Sequence, residues 1–402
     1  MTDHAVRPLG PGEVRAAGDL FRSTLYVKPS TDEEWVYGEG AYQPGRTLGA
    51  FDADLIGTAR SFDSALLVPG GRWLPMAAVT GVGVRPDRTR RGVLSELMRA
   101  QLGEFAERGV AVASLYATEG PIYGRFGYGV ATLGKSYDVD RRRARLRPDA
   151  PAGGEITLLG LEESLEQLPK LYDDLPHARP GAMTRPSYAW PNFDGHARRS
   201  PLPVHTAVFR GQRGVEGFAC YSAGNVGSGH EVVEEAEVHL MHTTTPAAFA
   251  GLWRFLLSLD LIARVKAYQR PMDEPLELIL EDPRRAETSK VDDATWLRLV
   301  DVEAALSARE YTGDGSVVLE VTDALLPGNS GRYRVAADGV ERTTAEAGLR
   351  LDVAELAMLY LGSCRASSLA AAGRLEVTGP DVLTTADLLL GTRVSAWCGS
   401  FF

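Results

Sequence analysis

The stretch T-G-V-G-V-R-P-D-R-T-R-R-G-V-L, residues 80–94, joins an apolar strand to a basic turn and then to a helix. The strand is predicted over residues 76–84, which are rich in valine and small residues, and Pro86 ends it. Behind Gly92, apolar side chains recur at the spacing of a helix. These side chains belong to Val93, Leu94, Leu97, Met98, Leu102 and Phe105. The stretch therefore predicts a unit of strand, turn and helix.

The turn of this unit has the properties of an anion-binding site. The first amides of a helix have no intrahelical partners and lie at the positive end of the helix dipole. Arg88, Arg90 and Arg91 add positive charge, and Gly92 allows a ligand to approach the backbone closely. The turn is therefore predicted to bind a pyrophosphate; the alternative is a solvated, charged corner. The stretch contains neither a dinucleotide fingerprint nor a nucleoside-triphosphate P-loop pattern.

A second cluster follows at T-E-G-P-I-Y-G-R-F-G-Y-G, residues 118–129, where four glycines and three aromatic residues stand in twelve positions. Residues 110–117 predict a buried strand that leads into it. This composition is typical of a shaped functional loop, although a surface turn whose rings merely cover the sheet has the same composition. Tyr123 is the preferred candidate for a catalytic tyrosine, ahead of Tyr116 and Tyr128.

Acyl transfer from a thioester is a reaction in which both clusters would take part. A neutral amine attacks the carbonyl carbon, an oxyanion forms, and a thiolate leaves. The amides of Val82 and Val84, at a distorted strand end, are predicted to face the oxyanion, because such donors usually supply the largest catalytic effect. Tyr123 is predicted to protonate the thiolate, because a phenol pKa near 10 lies close to a thiol pKa of about 8.5.

Residues 89–94 resemble the acyl-CoA signature of the GNAT superfamily of N-acetyltransferases, Q/R-x-x-G-x-G/A. Gly92 matches this signature, whereas Thr89 and Leu94 depart from it. The chain also has the loop E-G-P-I-Y-G-R-F-G-Y-G at residues 119–129, a length of 402 residues and a terminal phenylalanine. With these features it resembles the Eis (enhanced intracellular survival) family of multi-site amine acetyltransferases, through the whole chain and most specifically in the loop.

The resemblance implies roles for individual residues. Tyr123 would act as general acid, and the terminal carboxylate of Phe402 would act as general base. The residues at positions that match the family's acetyl-CoA contacts are Val82, Gly83, Val84, Arg90, Arg91, Gly92, Val93, Leu94, Ser95, Thr118 and Glu119. The candidate acceptor-binding residues are Ser23, Trp35 and Phe401. No metal is expected, because backbone amides meet the oxyanion.

The C-terminal sequence V-S-A-W-C-G-S-F-F, residues 394–402, is predicted to dock into the protein, because two large rings after Trp397 are rarely left in water. An α-carboxylate has a pKa of roughly 3.5 and an alkylammonium has one near 10. The Phe402 carboxylate therefore cannot simply remove the resting proton of an ammonium. We expect it to bind and orient the amine, and to accept the proton after attack, when the nitrogen has become more acidic.

A chain of 402 residues exceeds one ordinary core, so two or three domains are expected. The resemblance implies an α+β fold of GNAT type, with two fused acetyltransferase-like domains, the second degenerate, and a C-terminal sterol-carrier-like domain that delivers the terminus to the active site. We place them at residues 1–150, 151–285 and 286–402. The middle segment has H-T-T-T-P, residues 242–246, where a second pyrophosphate site would need an arginine-glycine turn. An unrelated α+β insertion is the alternative for this segment.

Composition excludes several classes of partner and location. A net charge of −10 argues against nucleic acid, because a polyanion demands a basic face. No run approaches 18 apolar residues, so no membrane span is expected, and the N-terminal M-T-D-H-A-V-R is unlike a signal peptide. A cytoplasmic location is therefore expected. Cys220, Cys364 and Cys398 lack metal-ligand spacing. By the resemblance, the protein is expected to be a homo-oligomer, specifically a hexamer.

The acceptor is expected to be a primary amine of a small polyamine-like molecule such as an aminoglycoside, with lysine side chains as further acceptors. Polycations suit an acidic protein, because a negative cleft concentrates them. The resemblance would place acidic residues near Phe21 and just before the terminal phenylalanine, where this chain has Ser23 and Phe401. Trp35 and the acidic residues 32–34 are candidates to line the pocket, although an exposed acidic helix start also explains that run. The alternative function is a catalytically degenerate acyl-CoA-binding or lipid-binding protein.

Overall fold

The computed structural model describes residues 4–227, 233–379 and 381–402. The first residues of the N-terminal sequence considered above, Met1–Asp3, lie outside the described residues. The described chain forms two compact units. The first comprises the residues up to Thr132, Arg179–Ala189 and Asp293–Phe402, and the second comprises Leu133–Ala178 and Trp190–Asp292. The division into three domains at residues 150 and 285 stays a prediction.

Both units combine helices with mixed, mostly antiparallel sheets, which is the α+β fold that the resemblance implied. The strands are β1 (Ala5–Pro8), β2 (Thr47–Asp52), β3 (Asp54–Leu67), β4 (Trp73–Val84), β5 (Val112–Tyr116), β6 (Gly129–Val130), β7 (Leu133–Asp140), β8 (Glu155–Leu159), β9 (Val204–Gly211), β10 (Gly214–Val226), β11 (Val233–Thr243), β12 (Arg264–Arg270), β13 (Ala286–Asp293), β14 (Thr295–Leu299), β15 (Ser316–Thr322), β16 (Gly331–Ala336), β17 (Gly339–Arg342), β18 (Leu349–Asp352) and β19 (Glu376–Val377). The helices are α1 (Val14–Thr24), α2 (Asp32–Gly38), α3 (Val93–Glu107), α4 (Gly120–Tyr123), α5 (Leu161–Asp174), α6 (Ala189–Arg199), α7 (Pro246–Leu256), α8 (Leu276–Ile279), α9 (Val302–Ala308), α10 (Val353–Tyr360), α11 (Ala366–Ala371) and α12 (Val382–Leu390). Among the described residues, no helix has the length and apolar content that crossing a membrane requires.

The first unit contains a seven-stranded sheet with the order β1-β2-β3-β4-β5-β14-β6. Strands β4 and β5 run parallel, and the other neighbours are antiparallel. Strand β14 comes from the C-terminal part of the chain, and its Leu297 pairs with Ser114 of β5 on one side and with Gly129 of β6 on the other. The strand predicted over residues 76–84 is confirmed as β4, although the sequence pattern did not indicate that β14 completes its sheet.

Helices cover both faces of this sheet. The helix predicted behind Gly92 is confirmed as α3, which buries its apolar residues on the sheet. A Cβ atom added to Gly57 would lie 2.9 Å from Val93 of α3, whereas one added to Gly83 would lie 2.9 Å from the hydroxyl of Thr24 in α1. Thr58, next to Gly57, pairs with Gly83. Because successive residues of a strand point to opposite faces, α1 and α3 lie on opposite sides of the sheet.

The second unit contains a seven-stranded sheet with the order β13-β7-β12-β11-β10-β9-β8. The helix predicted over residues 247–259 is confirmed as α7, which buries Leu252 and Trp253. The hydroxyl of Thr245 accepts a hydrogen bond from the Ala248 amide at 3.1 Å and so caps the start of α7. This helix start therefore carries a side-chain cap and lacks the arginines of the turn before α3.

A five-stranded sheet with the order β17-β16-β15-β18-β19 belongs to the first unit, together with α9 to α12. Its apolar residues join one continuous core with the seven-stranded sheet of that unit. This core includes Phe62 of β3 and Met76 of β4, and it also includes Leu319 of β15, Leu349 of β18 and Leu356 of α10. The C-terminal part of the chain is therefore packed against the sheet that carries β4 and β5.

A fully buried ion pair strengthens this packing. Arg298 of β14 donates from Nη2 to both carboxylate oxygens of Asp323, at 2.8 and 2.7 Å, and from Nη1 to the Leu299 carbonyl. The side-chain amide of Asn329 donates to the same carboxylate at 2.8 Å. Arg298 also lies against the glycine-rich loop, because a Cβ atom added to Gly127 would be 2.7 Å from its Nε. The ion pair therefore joins β14, the segment after β15 and that loop.

We expect Asp323→Asn to lower the free energy of unfolding by about 3–5 kcal/mol, because it leaves the buried charge of Arg298 without a carboxylate. Asp338→Asn is the matched control: Asp338 pairs with Arg334 on the surface at 3.3 Å and should cost about 0–1 kcal/mol. Urea unfolding followed by circular dichroism measures both changes. Equal midpoints for the two variants would show that the buried pair contributes no more than a surface pair.

Candidate active site

The basic turn ends in a glycine that adopts a left-handed backbone conformation and opens α3. Gly92 has a φ of +86° at the N-cap position of the helix, and Arg90 also has a positive φ, of +61°. Arg88 is paired with Asp52 and Asp87. Among the residues that the structure describes, Arg90 and Arg91 have no carboxylate partner, and both are exposed. The turn therefore presents free helix amides together with two unpaired guanidinium groups, which suits a pyrophosphate.

The predicted acetyl-CoA contacts in the first turn of α3 differ in what they offer a ligand. The side chain of Val93 is buried against the sheet, so its backbone amide is the group left for a ligand. Leu94 and Ser95 are half-buried. Thr118 and Glu119 are exposed just before α4. These positions are accessible to a ligand mainly through backbone atoms, so the departures at Thr89 and Leu94 from the sequence signature remove no buried contact.

Strand β4 is distorted at the position that the sequence predicted. Gly81 and Val82 together oppose the single residue Ala59 of β3, which defines a β-bulge, and Gly81 has a φ of +60°. The parallel pairing of β4 with β5 ends at Val79 and Leu115. Beyond that pair the two strands no longer bond to each other, and their ends open a gap in the sheet.

Backbone amides of β4 are directed into this gap. The Arg85 amide donates to the Ile56 carbonyl of β3 at 2.8 Å and therefore points towards β3. Because successive amides of a strand point to alternate sides, the Val84 amide points away from β3, as does the Val82 amide two residues earlier. Both amides lie past the last residue pair with β5, so they are available to a carbonyl oxygen of a ligand.

Tyr123 lies at the end of α4 with only 5% of its surface exposed. Its ring packs edge-on against Tyr128 at a centroid distance of 6.1 Å. Its hydroxyl has no hydrogen-bond partner within the described parts of the chain. Burial, with a smaller effect of the nearby Glu119 carboxylate, raises the pKa of Tyr123 to about 12. The phenol is therefore protonated at neutral pH, which is the state that a general acid requires.

The C-terminal tail is docked in the first unit by backbone and side-chain hydrogen bonds. The Trp397 amide donates to the Pro180 carbonyl at 2.7 Å. The Arg185 guanidinium donates to the Ser400 hydroxyl, and the Tyr116 hydroxyl donates to the Ser400 carbonyl, both at 3.0 Å. Ser400 itself is buried. The tail therefore follows a defined path across this unit, as its apolar composition predicted.

The terminal residue lies at the end of β5. The Phe402 ring packs edge-on against Tyr116 at 5.3 Å and against Phe62 of β3 at 5.6 Å. The Phe401 ring also packs against Tyr116, at a centroid distance of 4.7 Å, but 83% of its surface is exposed. Tyr116 directly follows Leu115, the last residue of β5 that pairs with β4. The terminus is therefore held beside the gap into which the β4 amides point.

The other predicted acceptor residues lie on α1 and α2. Ser23, near the end of α1, donates its hydroxyl to the Leu20 carbonyl at 2.6 Å. Trp35 packs on Tyr42 at 5.3 Å and lines a cavity of about 330 Å³ with Arg15 and Glu39 among its other walls. Ser23 and Phe401 are not among the residues that line this cavity. This cavity is therefore lined by one of the three predicted acceptor residues, and their common role in acceptor binding stays a prediction.

The acidic residues before Trp35 form the start of α2. Thr31 caps the helix by accepting a hydrogen bond from the Glu34 amide at 3.2 Å, and the Glu34 carboxylate accepts one from the Thr31 amide. This reciprocal pattern is a capping box. Asp32 pairs with Arg15 at 2.6 Å. The acidic run is therefore explained by helix capping and ion pairing, which is the second of the two explanations that the sequence suggested.

Sequence reasoning missed residues that surround the terminus. Arg60 and Phe62 lie next to each other on one face of β3, and Tyr188 packs edge-on against Phe62 at 5.3 Å. The segment 179–189 belongs to the first unit, where it bonds to the end of β3. A signal for Arg60 exists in the sequence, since a lone cation stands in the apolar strand pattern of residues 54–67. Nothing in the sequence pattern marks Tyr188 as a residue of the site.

Comparison with known protein families identifies the class of the protein. Residues 5–131 and 181–299 each match an acetyltransferase (GNAT) domain, and residues 302–399 match a sterol carrier protein domain. The protein is therefore an N-acetyltransferase built from two GNAT domains and a C-terminal sterol-carrier-like domain.

Individual relatives narrow this class. An N-acetyltransferase of Streptomyces avermitilis is 38% identical over 414 residues, with 100% of this chain and 99% of the relative covered. The N-acetyltransferase Eis of Mycobacterium tuberculosis is 34% identical over 398 residues, with 96% and 95% covered. The crystal structure of Eis1 from Mycobacterium abscessus is 36% identical and superposes with a TM-score of 0.89, covering 99% of this chain and 100% of that one.

The chain thus belongs to the Eis family of GNAT N-acetyltransferases, as its sequence resemblance predicted. GNAT acetyltransferases use acetyl-CoA as co-substrate, and their acceptor is an amine. Within the described residues, no group of three or more histidine, cysteine, aspartate and glutamate side chains could hold a metal ion.

We expect Gly92→Ala to destabilise the protein by roughly 1–2 kcal/mol, because its φ of +86° is unfavourable for a residue with a Cβ atom. Gly103→Ala, in the interior of α3, is the matched control and should stabilise by about 1 kcal/mol through helix propensity. A Cβ atom at either position meets no atom within 4 Å, so backbone conformation alone is compared. Thermal unfolding measures both; changes of the same sign would contradict the left-handed turn.

Proposed function

We propose that the protein transfers the acetyl group of acetyl-CoA to the primary amine of a small acceptor by direct attack in a ternary complex. The observation that carries the proposal is the position of Phe402 on Tyr116, where the paired part of β5 ends. A carboxylate at this point adjoins the gap between β4 and β5. The amides of Val82 and Val84 point into the same gap.

Acetyl-CoA is proposed to bind along the end of β4 and the start of α3. The helix amides behind Gly92 and the exposed guanidinium groups of Arg90 and Arg91 would hold the pyrophosphate. The amides of Val82 and Val84 would bind the thioester carbonyl oxygen and stabilise the oxyanion that forms on it. Thr118 and Glu119 would contact the cofactor from the start of the glycine-rich loop.

The proposed reaction forms one bond to carbon and breaks another. The amine nitrogen attacks the thioester carbon, and the carbon–sulfur bond then breaks. The Phe402 carboxylate orients the amine and accepts a proton from the nitrogen after attack, when that nitrogen has become more acidic than the resting ammonium. Tyr123 donates its phenolic proton to the departing thiolate. Proton exchange with water returns both groups to their starting states, and the products are the N-acetylated amine and free CoA.

The acceptor predicted from the sequence, a polyamine-like molecule of the aminoglycoside type or a lysine side chain, is one class of such amines. The net charge of −10 supports it through long-range attraction of cations. At the start of α2, Asp32 pairs with Arg15 at 2.6 Å and Glu34 with Arg22 at 3.5 Å, so these two carboxylates supply little free negative charge. The hexameric assembly and the cytoplasmic location stay predictions from the resemblance and the composition.

Tyr123→Phe is expected to lower kcat by about 100- to 10,000-fold, because it removes the proton donor to the thiolate. Tyr128→Phe is the matched control: the Tyr128 hydroxyl lies in the same loop, is buried and has no hydrogen-bond partner within the described chain, so its loss should leave kcat close to that of the wild type. Release of free CoA thiol measures turnover, and equal losses in both variants would contradict the role of Tyr123.

The pH dependence of kcat gives a second measurement of the same role. The pKa of Tyr123 is raised to about 12, so its acid form is lost only as the pH rises through that value. Turnover should therefore rise as the acceptor amine loses its proton, without falling again below about pH 10. A decline of kcat near pH 8 that disappears in Tyr123→Phe would contradict this prediction, because it would show that the pKa of Tyr123 is not raised.

Extension of the chain by two glycines after Phe402 is expected to abolish turnover while acetyl-CoA binding is retained, because the carboxylate moves away from the amine. The matched control is the same extension at the N-terminus, which leaves the Phe402 carboxylate in place. Turnover is measured by thiol release and acetyl-CoA binding by calorimetry. An extended enzyme that keeps the wild-type kcat would refute the role of the terminal carboxylate.

A further inference from the structure

Arg60 of β3 lies beside the candidate active site. It pairs with Thr80 of β4, directly before the bulge, and a Cβ atom added to Gly81 would lie 3.4 Å from the Arg60 Cβ and 3.6 Å from its Nε. Two residues further along β3, on the same face, the Phe62 ring packs against Phe402. Since a strand rises by about 3.3 Å per residue, Arg60 and Phe62 are separated by roughly 6–7 Å.

The positive charge of Arg60 has no carboxylate partner among residues 4–227, 233–379 and 381–402. Its Nη1 donates to the Ala41 carbonyl at 2.8 Å, and its Nε is buried without a hydrogen-bond partner. Its other neighbours are aromatic: the Tyr42 ring lies 4.6 Å from the guanidinium carbon and the Tyr188 ring lies 5.9 Å from it. The Asp19 carboxylate, which like Arg60 acts electrostatically on Tyr42, accepts a hydrogen bond from the Ser30 amide at 3.1 Å.

Other buried arginines of the protein are neutralised or fully bonded. Arg298 pairs with Asp323, Arg270 with Glu274, and Arg46 with both Asp63 and Glu104. Arg309 donates from all three nitrogen positions to backbone carbonyls. The buried Nε atoms of Arg46 and Arg298 also have no hydrogen-bond partner in the described chain, so the missing countercharge is what distinguishes Arg60. A half-buried guanidinium without a countercharge is costly, because desolvation is not repaid by a partner. Among the described residues, Arg60 therefore has neither the carboxylate partner nor the full set of hydrogen bonds that the other buried arginines have.

The proposed pyrophosphate site lies on the opposite side of the sheet from Arg60, so the pyrophosphate of acetyl-CoA cannot be that partner. Ala59, next to Arg60, packs with Val93 and Leu97 of α3, so its side chain faces the helix whose first turn would hold the pyrophosphate. Because alternate residues of a strand face opposite sides, Arg60 faces the side of α1. That side also carries Phe62, against which the terminal ring packs.

We propose that Arg60 determines acceptor specificity by pairing with an anionic group of the acceptor, so that the site prefers an aromatic or apolar primary amine that carries a carboxylate. This inference rests on the proposed function, because it assumes that the amine is bound at the Phe402 carboxylate. The aromatic rings of Phe62, Tyr188 and Phe402 would pack against the body of the acceptor, and Arg60 would bind its far end. A polycation would be repelled by the positive charge of Arg60 and would therefore be disfavoured.

The test compares the full-length enzyme on 4-(2-aminoethyl)benzoate, its uncharged carboxamide and spermidine, with free CoA thiol as the readout. A hydrogen-bonded charge pair favours the benzoate over the carboxamide by about tenfold or more in kcat/KM. Arg60→Gln should remove this preference, mainly by raising the KM of the benzoate, and Arg60→Lys should retain part of it. The KM of acetyl-CoA should not change in either variant.

Arg210→Gln is the control, because Arg210 is exposed on β9 of the second unit and should not affect the ratio. Thiol release without a benzoate preference in the wild type, or with spermidine as the best acceptor, would overturn the role of Arg60 alone. An altered KM for acetyl-CoA in Arg60→Gln would also overturn it, because the arginine would then serve the cofactor. No thiol release with any amine would count against the proposed function itself. If Arg60→Gln fails to fold, the ratio of kcat/KM for the benzoate to that for the carboxamide, in the wild type and in Arg60→Lys, still tests the proposal.

Discussion

A guanidinium that is wholly removed from water must be neutralised or fully hydrogen-bonded within the protein, and in the first unit Arg298 is neutralised by a carboxylate. Its partner Asp323 comes from the segment after β15, whereas Arg298 itself stands on β14, between β5 and β6. On its other side, the guanidinium leaves no room for a side chain at Gly127, in the loop that carries Tyr123. The cost of an unpaired buried charge therefore holds three distant parts of the chain in one arrangement.

This arrangement explains how a C-terminal region can belong to a catalytic sheet. Once β14 lies between β5 and β6, the core of the five-stranded sheet is continuous with that of the first sheet. The tail then crosses the same unit, where the Pro180 and Tyr116 contacts hold it. The residues that match a sterol carrier protein domain thus share one core with the sheet that contains β5.

Charge around the site is distributed differently from what the net charge of −10 suggests. Carboxylates at the start of α2 are engaged with Thr31 and Arg15, while Arg60 lies close to the terminus without a carboxylate partner in the described chain. Overall charge acts at long range and attracts cations, but specificity depends on the groups that touch the acceptor. In the proposed site, acceptor specificity would therefore depend on which charges are already paired, and composition does not report pairing.

The sequence by itself determined the strand β4, the turn at Gly92, helix α3 and the glycine-rich loop, because residue spacing and local backbone preferences specify such features within a few residues. Through its motifs it also determined the family and the nature of the co-substrate. Only the tertiary structure decided that β14 completes the sheet, that Phe402 packs on Tyr116 and that Arg60 has no carboxylate partner among the described residues. These features depend on contacts between residues far apart in the chain, and neither periodicity nor composition specifies which distant residue a side chain will meet.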